Sequence, residues 1–179
     1  MFHLSRWLRL SEAFTRLNRP VVVVDLESTG GNLYQDRVTE IAFLRFENGR
    51  VEHYEQLINP GKPIPEFVVQ LTGITNEMVA QAPAFDQIAS DILPLLRGAL
   101  IVAHNSRFDY TFLRHEFCRA GIDFASPALC TVQLSRRLYP QFYKHNLDSI
   151  ISRMGIQTDD RHRALADVLA LADYLEHSL

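Results

Sequence analysis

The chain has 179 residues, carries a formal net charge of −3 and is 47% apolar and 22% charged, a balance that excludes a disordered or collagen-like chain. Its two cysteines, Cys118 and Cys130, form no CxxC pair, which excludes a zinc ribbon and favours a reducing, cytoplasmic location. Of 18 basic residues 16 are arginine, so a polyanion must be met by a local patch of planar, bidentate donors and not by bulk charge.

Residues 1–19 read as an N-terminal helical appendage, because Leu4, Trp7, Leu8, Leu10, Phe14 and Leu17 recur at roughly helical spacing with arginines between them. The apolar stripe is expected to pack on the domain that follows, residues 20–179; a basic arm touching nucleic acid is the other reading. Arg6, Arg9, Arg16 and Arg19 interrupt this segment, and the longest aliphatic run, residues 21–24, is far short of the ~20 residues of a membrane helix. Neither a membrane span nor a signal peptide is expected. After Pro20 the β-branched run of residues 21–27 reads as a buried central strand with a polar end. Residues 38–46 and 51–58 are two further strands, and Asn48-Gly49 between them is a hairpin signal. Residues 59–65, rich in proline, read as a loop. Residues 85–96 have helical spacing, 99–103 form an aliphatic strand, and a helix over 107–120 stops at Gly121. Residues 130–138, 147–154 and 164–179 read as three more helices. Hairpin-linked strands followed by alternating helix and strand give an α/β sandwich with a mixed sheet.

Three segments carry chemistry. Asp25 and Glu27 lie two apart on a strand and so share a face, and like charges that close need a proton, a basic partner or a cation. No Lys or Arg lies within the segment; an exposed strand end with two acids is the plainer reading. In His104-Asn105-Ser106-Arg107-Phe108-Asp109 a strand runs into a polar turn, and Asp109 falls in the first turn of a helix, where the helix dipole alone accounts for it. Asn105 reads equally as the helix cap. In His162-Arg163-Ala164-Leu165-Ala166-Asp167 an acid sits inside a helix of Ala, Leu and Val, where a buried carboxylate needs a partner.

In order and spacing these segments resemble the DEDDh 3′→5′ exonucleases, the family that includes the proofreading epsilon subunit of bacterial DNA polymerase III. The family's Asp-x-Glu-Thr-Thr-Gly is matched by Asp25-Leu26-Glu27-Ser28-Thr29-Gly30, with Ser28 in place of Thr. Its His-Asn-x-x-Phe-Asp and His-x-Ala-x-x-Asp motifs are matched in full by residues 104–109 and 162–167, and Thr72-Gly73-Ile74-Thr75 looks like its Thr-Gly-Ile-Thr segment. The resemblance implies a ribonuclease H-like sandwich, a five-stranded mixed sheet flanked by helices whose second strand runs antiparallel. It implies two Mg²⁺ or Mn²⁺ ions held by Asp25, Glu27, Asp109 and Asp167, with His162 as general base. The implied reaction releases nucleoside 5′-monophosphates from single-stranded DNA or frayed 3′ ends, in proofreading or repair. RNA 3′-end trimming is the alternative substrate reading, and a DNA polymerase subunit is the implied protein partner.

These residue types suit that reaction. Four carboxylates neutralise two divalent cations, oxygen ligands favour Mg²⁺ or Mn²⁺ over zinc, and an imidazole titrates near neutral pH. Ser28, Thr29, Gly30, Thr72, Asn105 and Phe108 are the candidate substrate-binding residues, with Gly30 allowing close approach to the sugar. Thr72 also reads as part of an ordinary loop, and Phe108 as core packing instead of base stacking. Arg107, Arg161 and Arg163 adjoin the motifs and read as phosphate contacts or as solvated surface.

Overall fold

The computed structural model describes residues 4–179, with side chains from Arg6 onward. A sheet of five strands, β1 (Val21–Ser28), β2 (Val38–Glu47), β3 (Arg50–Leu57), β4 (Leu100–Ala103) and β5 (Ala128–Cys130), has the order β3-β2-β1-β4-β5. β2 runs antiparallel to both β1 and β3, whereas β1, β4 and β5 are parallel. Asn48 and Gly49, at φ of 51° and 72°, form the two-residue turn between paired Glu47 and Arg50, the primed turn whose twist matches a hairpin. β3 closes one edge with Glu52, His53 and Glu55 in a largely solvent-facing pattern, which discourages pairing with another sheet.

The helices are α1 (Leu8–Thr15), α2 (Glu66–Thr72), α3 (Asn76–Ala80), α4 (Phe85–Leu96), α5 (Ser106–Arg119), α6 (Thr131–Leu138), α7 (Leu147–Met154) and α8 (Ala164–His177). Alternation along β1 divides the core in two: Val22, Val24 and Leu26 pack with residues of α4 and α5, and Val21 and Val23 with residues of α1, α7 and α8. Asp25 and Glu27 have the parity of Val21 and Val23, so β1 delivers both acids to the α8 face. Gly121 ends α5 at φ 75°, with Ile122 N–H bonded to Phe117 and Gly121 N–H to Cys118, a Schellman stop.

One assignment changes. The helix expected over 130–138 starts at Thr131, and Cys130 instead ends the strand β5, which pairs with Ile101 to Ala103. Three residues are too few to show an alternating pattern, and their strand character comes from the exposed edge of β4 beside them. The short helices α2 and α3, in a segment with no clear periodicity, enclose a small satellite core of Ile64, Val68, Ile74 and Val79.

At the N-terminus Trp7 and Leu10 are fully buried, with Trp7 edge-on to Phe46 at 6.2 Å, while Leu8 and Leu17 face solvent; the side chain of Leu4 lies outside the described residues. Arg6 grips Asp173 through two nitrogens at 3.0 and 2.7 Å and Arg9 bonds Glu176 at 3.2 Å. These two arginines are spent on α8 and not on a solvated arm. Among the described residues no helix is long and apolar enough to cross a membrane.

Candidate metal centre

The polar C-terminal ends of the central strands β1 and β4 meet the start of α8 at one end of the sheet. There carboxylate oxygens of Asp25, Glu27 and Asp167 all lie within 4.8 Å of one another. β1 supplies the first two from adjacent same-face positions, and α8 supplies the third from its first turn. Asp109, in the first turn of α5, is 3% exposed, and its Oδ1 accepts the Leu26 N–H at 3.2 Å, which places this acid against the backbone between Asp25 and Glu27.

The electrostatics are those of an acidic cluster short of positive charge. Burial, then the charges of Asp109, Glu27 and Asp167, holds the Asp25 carboxyl well above the usual carboxylate range, with Arg161 pulling it down. Burial, then Asp167, Glu40 and Asp109, pushes Glu27 up to about 8. Asp109 is raised to about 7 by burial, with hydrogen bonds from its own backbone and from Leu26 opposing and Asp167 adding to the rise. A cation would relieve all three. The protein's own nearest substitute is the Arg161 guanidinium, which bonds Asp167 and spans to Asp148 at 2.8 Å. An all-oxygen donor set whose acids resist ionisation for want of countercharge fits a hard divalent cation.

His162 stands in the turn before α8, in the left-handed region at φ 66°, and its N–H reaches Asp167 Oδ1 at 3.4 Å. The backbone bond ties the histidine to the cluster and leaves its ring half-buried. The other motif histidine, His104, bonds Thr131 through Nδ1 at 2.9 Å, and burial pushes it down to about 4, so it is a neutral packing residue.

The remaining candidates separate. Thr29 is 1% exposed, and its hydroxyl donates to Asp36 at 2.9 Å and accepts from Arg37 N–H at 3.1 Å. Ser28 Oγ donates to the Gly30 carbonyl at 2.6 Å. A Cβ on Gly30 would stand 2.5 Å from Asp36 Oδ2, so the glycine is demanded by the inward-facing carboxylate of Asp36 whatever approaches from outside. Thr72 is buried, its hydroxyl donating to the Val68 carbonyl and accepting from Ile74 N–H, which closes the end of α2. Asn105 occupies the N-cap of α5 in a left-handed conformation, φ 64°, with no side-chain cap bond, and is exposed. Phe108 packs tilted on Phe112 at 4.7 Å, half-buried against the core.

Glu40 is a residue that motif reading passes over. It sits on β2 directly across from Glu27, is 5% exposed, binds Arg163 through both carboxylate oxygens at 2.6 to 3.2 Å and caps α8 by accepting Ala164 N–H at 2.9 Å. Arg163 is therefore held by Glu40, with about a third of its side chain still exposed. A lone acid inside the apolar strand around Ile41 to Phe46 was the signal available. Between Glu27 and Ser28 the β1–β2 register slips past Thr39, a bulge that bends the strand where its acids emerge.

A family profile described as exonuclease (RNase T) matches residues 22–175. The chain is 39% identical over 149 residues to the 3′-5′ exonuclease DinG of Bacillus subtilis, covering 82% of this chain but 16% of that protein. It is 33% identical over 159 residues to the DNA polymerase III subunit epsilon of Aquifex aeolicus, covering 88% and 79% respectively. Exonuclease X, solved in complex with 5′-overhanging duplex DNA, superposes with a TM-score of 0.69 at 27% identity over 88% of this chain and 90% of that one.

Proposed function

The chain belongs to the exonuclease family, and from that premise we propose that it hydrolyses DNA from the 3′ end, releasing nucleoside 5′-monophosphates. The observation that carries this reading is the convergence of Asp25, Glu27 and Asp167 oxygens within 4.8 Å, with Asp109 behind them. Asp25, Glu27 and Asp167 would hold two Mg²⁺ or Mn²⁺ ions with support from Asp109. Such ions supply charge stabilisation to the attacking and leaving oxygens of the phosphodiester.

The side chains contribute in distinct ways. His162, on the turn beside Asp167, takes the proton of the attacking water, and its loop position lets it close on a bound strand. Glu40 holds Arg163 and the first N–H of α8, so it fixes the segment on which His162 and Asp167 ride. Arg161 neutralises part of the cluster before a cation enters and retains Asp148 as a second partner afterwards. Exposed Asn105 and the half-buried edge of Phe108 are the candidate contacts to the terminal nucleotide, joined by the backbone of Ser28, Thr29 and Gly30. The Aquifex relative is named as a polymerase III subunit, which supports a polymerase as protein partner.

Digestion of matched 3′- and 5′-labelled DNA and RNA oligonucleotides with Mg²⁺, Mn²⁺ or EDTA tests the proposal. Release of mononucleotides from the DNA 3′ end, lost in EDTA, is expected. Full activity in EDTA, or loss of label from the 5′ end first, overturns it.

A further inference from the structure

Between Asp123 and Asp148 the chain carries no acidic side chain, in a molecule whose net charge is −3. This stretch holds β5, α6 and the loop to α7, and it exposes Arg136, Arg137 and Lys144, none of which forms an ion pair among the described residues. Tyr143, next to Lys144 in the loop, has 97% of its surface in water. An aromatic ring in that position on a floppy loop would need no explanation, but this loop is anchored from within. Arg153 lies 4.1 Å over the Phe142 ring and 5.6 Å from Tyr139, and its Nη1 donates to the Lys144 carbonyl at 3.2 Å. The buried His145 ring bonds Ser135 Oγ at 2.8 Å and the Phe142 carbonyl at 2.9 Å.

One end of the stretch is tied to the acidic centre and the other to the motif turn before α5. Thr131, the first residue of α6, holds His104, the neighbour of Asn105, and Asp148, in the first turn of α7, holds Arg161, which bonds Asp167. The end of α6 and the loop after it thus form a fixed ridge beside the site, with rigid contacts inward and Arg136, Arg137, Tyr143 and Lys144 exposed. A polyanion with unpaired bases matches both features, since phosphates meet the cations and a base stacks on the ring.

We propose that Tyr143, with Arg136, Arg137 and Lys144, forms a binding ridge for the single strand upstream of the 3′-terminal nucleotide. The proposal rests on the nuclease reading for its orientation, and its test separates the two. Affinity for fluorescein-labelled dT12 is measured in Ca²⁺, and hydrolysis of p-nitrophenyl thymidine 5′-monophosphate, a diester too short to reach the ridge, is measured in Mn²⁺. Tyr143→Ala should weaken dT12 binding about 5- to 100-fold, the loss of one base stack, while Tyr143→Phe restores it. Replacing the three cations with glutamine should flatten the dependence of log K on log salt by about 2 units, at ~0.7 per phosphate contact. Hydrolysis of the short diester should be unchanged in every variant. Unchanged dT12 affinity and salt slope would overturn the ridge, as would a parallel fall in short-diester hydrolysis. Failure of the wild-type chain to cleave either substrate would strike the nuclease reading instead, and the affinity measurements would still decide the ridge.

Discussion

Asp25 and Asp167 share one acidic cluster, yet their amide variants should part ways in the metal-free protein. Asp25 meets mainly other carboxylates, so Asp25→Asn removes a half-buried acid whose charged form desolvation and repulsion disfavour. Relief of ~1 kcal/mol should raise the melting temperature in EDTA by about 2 to 4 °C. Asp167→Asn instead takes a partner from Arg161 and should leave the melting temperature level or lower. Either change should cut hydrolysis more than ~10³-fold. A large fall in melting temperature for Asp25→Asn would make that acid a structural partner. Among the described residues His162 bonds the cluster through its N–H, so His162→Ala should leave Mn²⁺ affinity in calorimetry nearly unchanged while the single-turnover rate falls ~10²- to 10⁴-fold. Higher pH should partly rescue this variant, and loss of one metal-binding event would reassign the histidine as a ligand.

At the scale of elements, β2 and α8 are joined by one side chain. Glu40 satisfies an otherwise orphaned N–H at the start of α8 and pairs with Arg163, whose side chain remains 34% exposed. Glu40→Ala should destabilise the fold by about 2–3 kcal/mol, less than a fully buried pair because Arg163 can turn to water. The same change loosens the turn that carries His162, so kcat should fall more than KM rises; an unchanged melting temperature with normal turnover would show that α8 needs no such tie. The elements that periodicity predicts are those with long apolar patterns: β1, α4, α7 and the Asn48-Gly49 hairpin all form where expected. β5 escaped because three residues carry no period, and α2 and α3 because each is short and buries its few apolar residues in a small satellite core at the end of β3.

For the whole molecule the acidic cluster predicts an unusual stability profile. Glu27 at about 8 and Asp109 at about 7 bind protons more tightly in the fold than in the unfolded chain. Between pH ~4 and ~8 the native state therefore carries more protons, and stability falls as pH rises, with the full cost present above the folded-state pKa values. Melting in EDTA should drop from pH 5 to pH 8, and saturating Mn²⁺ should reduce or reverse that slope. Mn²⁺ binding at pH 7 should release protons, visible as a dependence of calorimetric heat on the buffer's ionisation enthalpy. An EDTA melting temperature that climbs from pH 5 to pH 8 would contradict the picture of a repelling cluster.

Much of this was legible in one dimension. The parity of Asp25 and Glu27 and the helical position of Asp167 follow from periods of two and 3.6, which are properties of the backbone, whereas the motif spacing spoke only through the family resemblance. The mixed sheet and four of its strands followed from the residues, and only the fifth strand came from the family resemblance, because β5 is three residues long. What only the tertiary structure decided is where each polar group spends its hydrogen bonds. Thr29 and Thr72 turn inward, Arg163 serves Glu40, Arg161 bridges two acids, and Tyr143 is left facing water. Those choices depend on partners up to 123 residues away, as between Arg163 and Glu40, and sequence spacing carries no information about contacts made across a packed sheet.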